Sequence, residues 1–347
     1  MKTFSSFSEP NLKVNGLDTW RFICALWVML NHLGFRQLHL DKSDPVEWFI
    51  RGILGNLFNG PAAVIVFFLI SGFCIHIPYM KGQSLNVWSY GTRRIIRILL
   101  PISIIHPLSI LTHVPLTLLS ETILWSVTCE LIYYLLYPFL NRTVKRIGWK
   151  SLIGGSFGAA FLILFTRIEL LNYPESSLTN WILGLPCWLL GCQLAESTQQ
   201  NTTCLSRKKI WMWRLGVWGL SSFAVFLRFH AKIGYPFTLT LFSLVAYEWL
   251  KEEISYFKNR TPNRLLEHLG AASFSLYLCH FSGAALPKLL GIPPRFHSMA
   301  LSYFMIGVLT FLFYFTVEKP SHFLARFLSR KLGPQSIPTP LEKQEAA

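Results

Sequence analysis

Apolar runs long enough to cross a bilayer recur along the whole chain, separated by short polar segments rich in Lys and Arg. A hydrocarbon core of roughly 30 Å needs about 20 predominantly apolar helical residues. That rule predicts about ten spans, at roughly 18–35, 61–79, 95–113, 121–140, 151–168, 179–196, 210–229, 234–250, 267–287 and 298–317. The expected fold class is therefore all-α, a polytopic membrane protein. Its membrane domain covers 17–320, after an N-terminal segment 1–16 and before a tail 321–347. The tail is first basic and amphipathic. From Pro334 onward it is rich in Pro, Gln and Glu, a composition that cannot bury a core, so its end is expected to be disordered.

Composition supports that pattern. Of the 347 residues 52% are hydrophobic and only 14% charged, against roughly 25% charged in soluble domains. The formal charge of +15 invites a nucleic-acid reading, but the basic residues sit in short runs between apolar segments rather than along one face. With the N-terminus cytoplasmic, three quarters of the 32 Lys and Arg residues fall on the inner side. The positive-inside bias then predicts a multi-pass protein of the cell inner membrane with both termini cytoplasmic. Arg21 at the start of the first run, with no small-residue cleavage site after it, suggests an uncleaved signal anchor. The seven cysteines mostly lie inside apolar segments and none forms a C-x-x-C pair, which indicates neither a disulfide framework nor a metal site.

Ionisable groups inside a membrane span are costly, so each needs a partner or a polar cavity. Asp18, Arg21 and His32 share the first span. Eleven residues at 100° each come within about 20° of three full turns, so Arg21 and His32 share one face about 16 Å apart. That geometry suits a long donor with an anionic head. A neutral imidazole there can take the proton of an attacking hydroxyl, and the bland alternative is a histidine hydrogen-bonded between helices. Glu130, midway along the fourth span, shares a polar stripe with Ser126, Tyr133, Tyr134 and Tyr137. Three readings stay open for it: orienting His32, neutralising an arginine such as Arg21, or a structural ion pair. Ser273, Tyr277 and His280 form a second stripe, suited to acceptor binding or to holding helices together. Arg93, Arg94 and Arg97 precede Pro101, and their guanidinium forks can grip phosphates, although topology alone also accounts for them.

Taken together these segments resemble the acyltransferase 3 family of integral membrane O-acyltransferases, from about Gly16 to Pro320. Leu17-Asp18-Thr19-Trp20-Arg21 with His32 is similar to its R-x10-H signature. Phe67-Phe68-Leu69-Ile70-Ser71-Gly72-Phe73 is similar to its F-x-x-S-G-F segment, and Arg93-Arg94-Ile95-Ile96-Arg97 to its R-x-x-R stretch. Trp125-Ser126 through Glu130, Tyr134 and Pro138 resembles its W-S-x-x-x-E-x-x-x-Y-x-x-x-P helix. Ser273 to His280 and Val317-Glu318-Lys319-Pro320 resemble its closing motifs. Thr19-Trp20 and Phe274 depart from the usual pattern without touching the candidate catalytic residues.

The resemblance implies a fold of about ten helices, acyl-CoA (acetyl-CoA favoured) entering from the cytoplasm, and transfer to a hydroxyl of an envelope carbohydrate or related acceptor. It implies His32 as the catalytic centre, and a stand-alone membrane domain. On this reading Arg21, Arg93, Arg94 and Arg97 hold the CoA end, and Ser71 and Gly72 let its thiol arm pass. Glu130 tunes charge, while Asp18, Trp125, Ser126, Tyr134, Ser273, Tyr277, His280 and Glu318 serve the acceptor or support the site. A covalent acyl-histidine is the mechanistic variant. The rivals are a glycan or lipid-linked substrate transporter, weakened by the lack of an inverted pair of broken segments, and a silent assembly protein.

Overall fold

A computed structural model describes residues 14–33, 44, 46, 56–82, 84–114, 116, 124–167, 169–173, 179–198 and 205–332. The described residues are all-α. The helices are α1 (Leu17–Leu33), α2 (Gly60–His76), α3 (Val87–Leu111), α4 (Trp125–Thr166), α5 (Asn180–Ser197), α6 (Arg207–His230), α7 (Tyr235–Lys258), α8 (Arg264–Ala271), α9 (Ser273–Leu289), α10 (Met299–Phe313) and α11 (Lys319–Lys331). A π turn, Tyr314–Glu318, joins the last two. The C-terminal stretch expected to be disordered lies outside the described residues.

Each of the ten expected spans has a helical counterpart. Among the described residues, five helical stretches are long and apolar enough to cross a membrane alone, or six if α8 and α9, bent by 69°, count as one span. The bilayer explains their surface. In α3 and α6 many large apolar side chains, such as Ile104, Ile110, Phe223 and Phe226, are exposed, which soluble folds avoid in contiguous patches.

The two expected spans at 121–140 and 151–168 run together as α4, broken at Gly148. There the backbone takes φ 77° and ψ 163°, a region essentially reserved for glycine. The break lies in the basic stretch that holds Arg146 and Lys150, where a connection between two spans belongs.

α2 forms the middle of the bundle. It is buried on nearly all sides, and its core residues Ile65, Leu69, Ile70 and Phe73 are almost inaccessible. It packs closely on α5 because small residues meet at the crossing. A Cβ on Gly191 would lie 2.1 Å from the carbonyl oxygen of Leu69, and one on Gly72 would lie 2.0 Å from that of Trp188. Close backbone approach through small residues is how membrane helices gain packing that lipid cannot offer.

Two helix starts are held from elsewhere in the chain. Glu267 of α8 accepts from the backbone N–H of Thr19 (3.0 Å) and from its hydroxyl (2.7 Å) at the start of α1. Glu318 accepts from the N–H (3.0 Å) and hydroxyl (2.5 Å) of Ser275 at the start of α9. Ala272, the residue before α9, has no side chain to cap it, so the carboxylate supplies what the local sequence lacks.

α11 opens the basic, amphipathic part of the expected tail as a helix with one buried face. Ser321, Ala325 and Ser329 recur every four residues, make a small-residue face and are buried. That face packs on α3, where Arg93 Nε donates to Ser329 Oγ at 3.4 Å.

A Cβ at Gly148 would meet no atom within 4 Å, so any cost of Gly148→Ala comes from the backbone alone, about 1–3 kcal/mol. Gly154 is equally open but has no positive φ, and Gly154→Ala should stabilise by roughly 0.5–1 kcal/mol. Thermal unfolding in detergent should therefore shift the midpoint down for the first variant and up for the second.

Candidate active site

A cavity of about 430 Å³ opens between α1, α2, α3, α4, α8, α9, the π turn and α11. Its described lining carries three carboxylates, Asp18, Glu130 and Glu318, and three arginines, Arg21, Arg94 and Arg97. Ser71, Cys74, Ser126, Tyr134, Ser273, Tyr277, Tyr314 and His322 add polar groups, and apolar residues such as Phe67, Phe68, Ile98 and Val127 complete the wall.

The charges are distributed unevenly. Asp18 and Arg21 form the expected ion pair at 2.8 Å, and a second nitrogen of Arg21 donates to Cys74 Sγ at 3.1 Å. Glu130 is held by neutral donors: Ser71 Oγ at 2.5 Å and the hydroxyl of Tyr134. Trp188 Nε1 donates to Ser71 Oγ in turn, at 3.3 Å. Glu318 is occupied by Ser275. Among the described residues no carboxylate forms an ion pair with Arg94 or Arg97. Arg94 lies over the rings of Tyr90 and Tyr134, 5.9 and 5.8 Å from their centres, and its buried Nε has no hydrogen-bond partner among the described residues. Arg97 is the exposed member of the pair. A cationic wall with an unsatisfied buried donor is suited to an anionic ligand.

The arginine stretch is thus turned differently from the expectation. Arg94 and Arg97, three residues apart, line the cavity, whereas Arg93 faces α11 and is not among the lining residues. α11 occupies that flank of α3. The same helix brings in His322, which no sequence pattern had singled out.

Gly72 also differs. Its flank is filled by the carbonyl of Trp188 and it is not among the described lining residues, so helix packing is enough to account for this glycine. Ser71, its neighbour, does face the cavity. Trp125 stacks on Tyr173, ring centres 4.9 Å apart, beside the lining rather than in it.

His32 is the largest departure from the single-tunnel picture. It is not among the described lining residues. Its Nδ1 lies 3.1 Å from Nε2 of His280, the two imidazole rings are nearly parallel with centres 5.3 Å apart, and the ring of Phe281 lies against that of His32 with centres 5.1 Å apart. Glu130 hydrogen-bonds to Ser71 and Tyr134 rather than to either His32 or Arg21. The link between cavity and imidazoles is Tyr277. Its hydroxyl meets Ser126 Oγ at 2.8 Å in the cavity wall, and its carbonyl oxygen lies 2.8 Å from His280 Nδ1. The stripe Ser273, Tyr277, His280 therefore does come together on one face of α9.

A family model described as an acyltransferase domain matches residues 14–319. The chain belongs to the acyltransferase 3 family. Among curated proteins this family member is similar to acyltransferase MdmB of Streptomyces mycarofaciens, 25% identical over an alignment covering 78% of this chain and 79% of the relative. No solved structure matches it. The matched region takes in every described residue of the cavity wall except His322. The membrane-embedded acyltransferase assignment thus stands on the family model together with the apolar helices.

The two readings of Gly72 make different demands on the protein. Because an added methyl would press on backbone, Gly72→Ala should destabilise by about 1–3 kcal/mol and lower the unfolding midpoint. A residue that only lets a donor pass would, on substitution, raise the donor KM at unchanged stability.

Proposed function

We propose that this acyltransferase moves an acyl group, with acetyl favoured, from acyl-CoA to a hydroxyl of an envelope carbohydrate or related acceptor at the inner membrane. The observation that carries the proposal is the cavity in which Arg94 and Arg97 form no ion pair with a carboxylate among the described residues, while polar groups continue toward His32 through Tyr277. With the N-terminus cytoplasmic, as the distribution of Lys and Arg favours, Arg21, Arg94 and Arg97 lie on the side from which CoA arrives. Guanidinium forks match phosphate oxygens bidentately. The pantetheine arm then runs along the apolar wall of Phe67, Phe68, Ile98 and Val127, and the thioester reaches the region of Tyr277.

His32 acts as general base. As the acceptor oxygen attacks the thioester carbonyl, its proton passes to the imidazole. The new C–O bond forms and the C–S bond breaks, and the leaving thiolate takes the proton back from the imidazolium. Atoms and charge balance with no further reagent. General-base help of this kind contributes about 10²- to 10⁴-fold, and holding donor and acceptor together contributes more. Ser71 and Tyr134 hold Glu130 in the same cavity wall, where it tunes the charge of the site.

Two substitutions separate the roles. His32→Ala should abolish acyl transfer, read as thiol release from acyl-CoA and as a missing acyl mass on envelope glycans, while the protein still inserts and folds. Arg97→Ala should raise the donor KM roughly tenfold or more with a smaller effect on kcat. Full activity without the imidazole would overturn the assignment, as would substrate movement with no acyl-CoA consumed.

A further inference from the structure

His280 is fully buried and both of its ring nitrogens are engaged. Its Nδ1 lies 2.8 Å from the carbonyl oxygen of Tyr277. A carbonyl can only accept, so this nitrogen carries the hydrogen. In a neutral imidazole the other nitrogen is then a bare acceptor, and His280 Nε2 points its lone pair at His32 Nδ1, 3.1 Å away. Two lone pairs cannot face each other at that distance, so His32 Nδ1 must donate. The unprotonated nitrogen of His32 is therefore Nε2. A backbone carbonyl, through one imidazole, decides which nitrogen of the next imidazole is basic.

We propose that His280 is a positioning residue that fixes His32 as the tautomer with its lone pair on Nε2, the form able to take the acceptor's proton. This inference rests on the reading of His32 as general base. His280 touches no reacting atom; it acts through the contact of its ring with that of His32, and the near-parallel stacking of 9° holds the donor direction. The carbonyl that starts the chain belongs to Tyr277, whose hydroxyl stands in the cavity wall, so the tautomer is set by the same residue that borders the donor cavity.

The wild-type protein in lipid nanodiscs, labelled with ¹⁵N in the histidine rings, tests this without substrate. At pH 8, above the ordinary imidazole range, the resonances lost in His32→Ala should show a protonated Nδ1 and a bare Nε2. A protonated Nε2 on His32 would overturn the proposal. Kinetics supply the second arm. His280→Met removes the acceptor and should lower kcat by about 10²- to 10⁴-fold with the donor KM unchanged. His280→Gln can place an amide oxygen near the Nε2 position and should stay within about tenfold of wild type. Equal losses in the two variants would mean a packing role and overturn the proposal, as would a wild-type kcat in His280→Met. If neither variant folds, the wild-type spectrum decides alone. An active His32→Ala would instead bring down the general-base reading itself, whereas an inactive His32→Ala beside a fully active His280→Met would remove only the role of His280.

Discussion

Helix starts buried in a membrane protein carry backbone N–H groups that lipid cannot satisfy, and this chain meets that constraint with carboxylates from distant helices. Glu267 holds the first turn of α1 and Glu318 holds the first turn of α9. These are the helices that carry His32 and His280, so the two caps set where the imidazoles stand. An unsatisfied donor in hydrocarbon costs several kcal/mol, which makes each cap a structural requirement. Glu318 serves twice, because the carboxylate that caps α9 also lines the cavity.

Around those anchors, each buried charge is held in its own way. Asp18 neutralises Arg21, while Ser71 and Tyr134 hold Glu130 through neutral donors. Arg94 rests on aromatic faces and keeps one buried nitrogen without a partner among the described residues. Apolar residues such as Phe67, Phe68, Ile98 and Val127 complete the cavity wall beside these charges.

The glycines show how packing and chemistry separate within one motif. Ser71 and Gly72 are adjacent, yet the helix turns the hydroxyl toward the cavity and the glycine toward α5. The same rotation divides the arginines of α3, with Arg94 and Arg97 inward and Arg93 against α11. A motif written as a string does not distinguish these faces; a helix at 100° per residue does.

Much of the fold was legible before any coordinates. Apolar run length and positive-inside bias act locally, so the position of each span and the i,i+3 pair of Asp18 with Arg21 follow from the chain alone, as does the shared face of Ser273, Tyr277 and His280. The contact of Glu130 with Ser71, that of His32 with His280, the caps on α1 and α9, and the packing of α11 on α3 do not. Those contacts join residues tens to hundreds of positions apart, and local periodicity carries no record of which helices become neighbours. Helix order in the bundle decides that His32 meets His280 rather than Glu130. The sequence determined which groups had to be sheltered from lipid; only the tertiary structure decided which group shelters which.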